Sequence, residues 1–93
     1  MKGTFNWFLI AYISEGHKLT VSAIQELNDL TNEFLYELKP ESCFTTETVI
    51  DYLEFLNDSM SETNQHLFNF KFDKHRYIEF LESWIRTLIE SQN

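Results

Sequence analysis

The sequence predicts an all-α protein: a compact antiparallel four-helix bundle, with room for a short extended segment near 67–72. Three observations point there. Two Gly and one Pro in 93 residues are too few for the repeated turns of a β-rich chain. Nine Phe, four Tyr and two Trp supply large apolar area for so short a chain, which makes a single helical domain, residues 1–93. Apolar residues also recur at helical spacing in four stretches separated by short connections.

The first helix is expected from near Thr4 to a glycine cap at Gly16, with Phe5, Phe8, Leu9, Tyr12 and Ile13 at helical spacing. The run from Trp7 to Ile13 is almost wholly apolar, so it also fits a buried strand. Thr20 suits the N-cap of a second helix that runs to about Lys39 and stops at Pro40. Its buried stripe reads as Val21, Ile24, Leu27, Phe34, Leu35 and Leu38. The third helix follows Thr45 or Thr46 and reaches Asp58 or a turn beyond, with Val49, Leu53, Leu56 and Met60 inward and Tyr52 on the flank. In HLFNFKF the alternation of Phe68, Phe70 and Phe72 reads as extended chain. Asp73 then caps a last helix through about Ser91, with Phe72 and Tyr77 at the two positions of a hydrophobic staple. Ile78, Leu81, Ile85 and Leu88 form its expected buried face, with Trp84 beside them.

Charge is distributed unevenly. The formal net charge is −8, and from Leu19 to Phe70 the sole Lys or Arg is Lys39, against ten acids. At about 100° per residue, Glu47, Asp51, Glu54, Asp58 and Glu62 fall within roughly 80° of one another, opposite the apolar face of the third helix. Glu26, Asp29, Glu33 and Glu37 repeat the arrangement on the second. A short loop makes these helices expected neighbours, so the two stripes can merge. An exposed face must be polar in any case, but a face tuned for stability mixes signs, because Glu–Lys pairs at i,i+4 contribute about 0.2–0.5 kcal/mol and like pairs cost a similar amount. The last helix does mix them, with Glu82, Arg86 and Glu90 four apart. That contrast favours a functional acidic surface, with Phe55 and Tyr36 at its margins as aromatic anchors. Phe55 packed against a neighbouring helix is the competing reading.

Several functions find no footing. An anionic chain lacks the cationic surface that nucleic acids and anionic membranes require. NWFLIAYI is far short of the roughly 20 residues of a membrane span, and Glu15 and His17 follow where a signal peptide would need small residues. Cys43 is the only cysteine, which fits a reducing, cytoplasmic setting and a buried inert thiol. Glu62 with His66 and His75 with Glu79 each offer an i,i+4 ligand pair, but neither the paired Glu-x-x-His signature of di-iron bundles nor zinc spacing is present. With Gly3 and Gly16 as the only glycines there is no phosphate-cradling loop. No enzyme activity, metal or cofactor is expected. Lys71, Lys74, His75 and Arg76 cluster at the start of the last helix, against the helix dipole, and are expected to pair with carboxylates elsewhere in the bundle.

In HKLTVSAIQEL, DYLEFL, NFKFDK and FLESWIRTL the order of elements resembles that of small acidic all-helical bacterial toxin-immunity proteins, nearest the colicin D immunity type. The resemblance is architectural, spans most of the chain and carries over no individual residue. It implies a helical bundle that binds a basic nuclease toxin and covers its active site or RNA-binding cleft.

Together these readings predict a cytoplasmic protein-binding inhibitor of a basic nuclease-type toxin or other nucleic-acid-acting protein, monomeric when free. Glu47, Asp51, Glu54, Asp58 and Glu62 would carry the charge, Glu26, Glu33 and Glu37 would extend it, and Phe55 and Tyr36 would anchor it. A phage-encoded inhibitor of a host defence nuclease stays open beside the immunity protein, and gene neighbourhood separates the two. A structural or regulatory helical module that dimerises through Phe55, Trp7 or Trp84 is the reading from a different class.

Overall fold

Five helices make up the regular structure of the described residues: α1 (Lys2–Ser14), α2 (Val21–Tyr36), α3 (Thr46–Ser59), α4 (Glu62–Gln65) and α5 (Lys74–Ser91). The computed structural model describes residues 2–39, 41 and 45–91, with side chains from Phe5 onward. No strand occurs among them. Helix α2 ends at Tyr36 with its C-cap at Glu37, short of the expected Lys39, while Pro40 and the expected buried thiol of Cys43 lie outside the described residues.

Several helix ends have a local cause. Gly16 adopts φ +79°, a left-handed turn open to glycine at little steric cost, just beyond the last residue of α1. The run from Trp7 to Ile13 is therefore helix, not strand. Thr20 Oγ1 accepts from Ala23 N–H at 3.1 Å to cap α2, and Thr45 Oγ1 accepts from Thr48 N–H at 3.1 Å to cap α3. Asp73 Oδ1 accepts from Arg76 N–H at 3.1 Å at the start of α5, and the Phe72 and Tyr77 rings close the staple with centroids 5.5 Å apart. Met60 turns to extended backbone, so α3 stops short of Glu62. Residues 69–73 run without regular structure, and Phe68 is buried while Phe70 and Phe72 are half-buried.

At the centre lies α1, with Phe5, Phe8, Leu9, Tyr12 and Ile13 all fully buried. It packs against α2 and α5, and α2 packs against α3. Phe8 touches Phe5, Tyr12, Tyr77, Phe80 and Trp84 with ring centroids 5.6–6.3 Å apart. Arg76 lies over the Tyr12 ring at 4.6 Å and donates to the Tyr12 carbonyl. Burial pushes the Tyr12 hydroxyl above its ordinary range, with the neighbouring Arg76 opposing.

Two buried faces differ from expectation. On α2 the core residues are Ala23, Leu27, Thr31 and Leu35, while Val21 and Ile24 are 72% and 49% exposed. Ala23 is small enough to let a neighbour approach, and the Thr31 hydroxyl is fully hydrogen-bonded, so a stripe drawn by hydrophobicity alone passes over both. On α5 the inward residues are Tyr77, Phe80 and Trp84, while Ile78, Ile85 and Ile89 are 42%, 47% and 56% exposed. Its apolar residues come in adjacent couples, which makes the apolar arc too wide for periodicity to choose a centre. The rings of Phe8 and Tyr12 make that choice by edge-to-face packing. Tyr52, expected on a flank, is fully buried.

Candidate acidic protein-binding surface

The seam between α2 and α3 is held by a buried polar contact. Thr31 Oγ1 donates to Leu27 O at 2.6 Å, and it lies 2.9 Å from the Tyr52 hydroxyl. With its one proton engaged by Leu27, Thr31 accepts and Tyr52 donates. Burial drives the Tyr52 hydroxyl far above the ordinary tyrosine range, and the Thr31 hydrogen bond opposes this only in part. Tyr52 is thus a neutral donor that fixes one helix against the other. Phe34 packs edge-on to the same ring at 5.5 Å and reaches Phe55 at 5.7 Å.

Above this seam the two acidic stripes meet. Glu33, Phe34, Glu37 and Leu38 from the α2 side and Asp51 and Phe55 from α3 line one depression of about 270 Å³. Three carboxylates stand around an aromatic and aliphatic floor. Phe55 is half-buried against Phe34, as the competing reading has it, and also lines the depression. On the opposite margin of α3, Glu54 lines a second depression of about 350 Å³ with Leu53, Asn57, Phe68, Asn69, Phe70 and Lys71. By helical register, Glu47 and Asp58 fall on the exposed ridge between Asp51 and Glu54.

Three residues of the expected surface stand elsewhere. Glu62 opens α4 after a break in the helix, so it does not continue the α3 stripe. Glu26 is half-buried and structural: its Oε1 accepts from Ser61 N–H at 3.1 Å, from Ser61 Oγ at 3.0 Å and from Asn64 Nδ2 at 3.3 Å. A carboxylate from α2 thereby caps α4, a helix that periodicity alone did not reveal. Tyr36 is 84% exposed and is not among the residues lining the depression. Thr31, spaced four residues from both Leu27 and Leu35, is a core contributor whose only signal in the sequence is that spacing.

The carboxylates of α2 and α3 form no ion pair among the described residues; the salt bridge found there joins His75 Nε2 and Glu79 Oε1 at 2.8 Å on α5. Arg76 engages the backbone and ring of Tyr12, and His75 engages its own helix, which corrects the expectation that the basic cluster reaches carboxylates elsewhere. His17 is half-buried against Phe68, with ring centroids 5.8 Å apart. No group of three or more His, Cys, Asp or Glu suited to a metal ion occurs among the described residues. None of the helices described is long and apolar enough to cross a membrane. Comparisons of the chain with protein-family models, curated proteins and solved structures return no match.

Proposed function

We propose that this protein is an inhibitor that binds a basic, nucleic-acid-acting protein, of the nuclease-toxin kind that immunity proteins neutralise, through the acidic face of α2 and α3. The observation that carries this reading is the depression in which Glu33, Glu37 and Asp51 surround Phe34 and Phe55 without an internal cation. Carboxylates three or four residues apart on a helix stand about 5–6 Å from one another, comparable with phosphates along a nucleic acid strand. A cleft lined with Lys and Arg can therefore accept this face in place of its substrate, and Phe55 supplies the apolar contact that charge alone lacks. Opposite fields also speed encounter, which suits an inhibitor that must act before its target does.

The test is affinity capture from the native cell with elution across a salt gradient, followed by a nuclease assay of the captured protein. A basic nucleic-acid-acting protein is expected, silenced by the chain in proportion to binding. Glu33→Lys with Asp51→Lys should abolish both capture and silencing while the helical circular dichroism spectrum is unchanged. Undiminished capture after those reversals would remove this face from the proposal.

A further inference from the structure

We propose that the chain forms a two-fold symmetric dimer through α5, with the two copies of the helix antiparallel. This inference does not rest on the inhibitor reading, and it departs from the monomer that the sequence led us to expect. Its starting point is the apolar side of α5 left over once Tyr77, Phe80 and Trp84 have packed on α1. Ile78, Ile85 and Ile89 project from it within about 40° of one another. Half-buried Leu81 and Leu88 border them, so that Ile78, Leu81, Ile85 and Leu88 repeat at the a and d spacing of a helix–helix seam. β-Branched side chains hold one rotamer in a helix and lose little freedom when covered.

Charge identifies the occupant. Copies of a chain with net charge −8 repel each other over most of their surface, and the α2 and α3 faces carry carboxylates only. Helix α5 is different: Lys74, Arg76 and Arg86 balance Glu79, Glu82 and Glu90. Glu82 and Arg86 flank the isoleucines, both are exposed, and neither forms an ion pair among the described residues. A partner that is simply basic would meet Arg86, and one that is simply acidic would meet Glu82. The partner that satisfies both presents the same pair in reverse order, which is this face turned through 180°. With the two-fold axis at the level of Trp84, Glu82 of each copy faces Arg86 of the other. The same axis sets Ile78 against Ile89 to within one residue and places Ile85 beside the axis. A parallel two-fold pairing would instead set Glu82 level with Glu82 and Arg86 level with Arg86 on opposite sides of the seam, with no Glu82–Arg86 pair across it. The contact is isologous, as closed two-fold dimers require, and it uses none of the residues of the α2–α3 depression.

Sedimentation equilibrium and light scattering over a range of protein concentrations test this, with circular dichroism to verify folding. The full chain is expected to pass from monomer to dimer as concentration rises. Ile85→Glu should raise the dissociation constant by about 100-fold or more, the size of a disrupted central anchor. Arg86→Glu alone should raise it about 10-fold, and the double variant E82R/R86E should return it to near the wild-type value. That rescue depends only on surface residues and on the antiparallel order. A chain that stays monomeric throughout overturns the proposal. So does a dimer indifferent to Ile85→Glu but broken by Trp7→Glu, which would place the contact at the depression that exposed Trp7 lines with Ile10 of α1 and Ile24 of α2. Failure of E82R/R86E to restore the dimer would overturn the antiparallel arrangement.

Discussion

Helices α3 and α5 are both amphipathic, and they treat their exposed sides in opposite ways. On α3 the inward face is Val49, Tyr52, Leu53 and Leu56, and the outward face carries Glu47, Asp51, Glu54 and Asp58 with no basic residue. Apolar and charged sides are cleanly separated, so α3 is satisfied within its own chain and leaves an unneutralised field outside. On α5 the charges are mixed and roughly balanced, but the apolar arc is wider than α1 can cover. One helix presents charge without a partner, and the other presents apolar surface without a partner. The difference teaches that an exposed face is informative through whichever property its own chain leaves uncompensated.

Several variants would break or sharpen this contrast, and the largest effect belongs to the aromatic seam that divides the covered side of α5 from the uncovered one. Phe8→Ala removes a fully buried ring in contact with five others and should destabilise the fold by about 3–5 kcal/mol in chemical denaturation. Ile89→Ala, measured dilute enough for a monomer, should change stability by no more than about 0.5 kcal/mol. Comparable losses from the two would erase the distinction between covered and uncovered sides.

The next effect lies in the α2–α3 seam. Thr31→Val strands the buried Tyr52 hydroxyl and should cost about 1–3 kcal/mol. Stability should also decline in alkali. The folded state raises Tyr52, Tyr12 and Tyr77 above the ordinary value of about 10. Above that pH the unfolded chain therefore binds fewer protons than the folded one, and the free energy of unfolding falls as pH rises, with no such loss below it. Thermal melts between neutral and strongly alkaline pH check the sign.

Glu26→Ala is smaller, about 1 kcal/mol, because it removes the cap of α4 and leaves the Ser61 N–H to water. If Glu26 instead belonged to the binding surface, its loss would weaken partner capture with little change in melting. Smallest is Asp58→Lys, which sets a cation four residues after Glu54 and should stabilise α3 by about 0.2–0.5 kcal/mol. The same change should weaken binding of a basic partner. A variant that is both more stable and a poorer binder would support the idea that the single-sign face is kept at the expense of stability.

Much of this molecule can be read from its residues, because local rules decided it. Thr20, Thr45 and Asp73 accept hydrogen bonds from the first turns of α2, α3 and α5, and Gly16 takes the left-handed turn after α1. Those positions follow from side-chain chemistry within a few residues. The acidic stripe on α3 was legible too, since a carboxylate without a partner has nowhere to go but water. The merging of Glu33 and Glu37 with Asp51 needed only that α2 and α3 be neighbours, as the short connection implied.

What remained was decided between elements. Whether α5 turns Tyr77, Phe80 and Trp84 inward, or Ile78 and Ile85, depends on the ring edges that Phe8 and Tyr12 offer, and those belong to another helix. Ala23 and Thr31 lie in the core because of what approaches them, a close neighbour in one case and the Tyr52 hydroxyl in the other. Glu26 left the acidic face because Ser61 and Asn64, some 35 to 38 residues away, supply donors for it. By itself the sequence determined the four long helices, the caps of α2, α3 and α5 and the sign of the surface, since each depends on contacts a few residues apart. Only the tertiary structure decided which apolar side is covered and which carboxylates stay free, because burial is a property of pairs of surfaces and no single helix carries it alone.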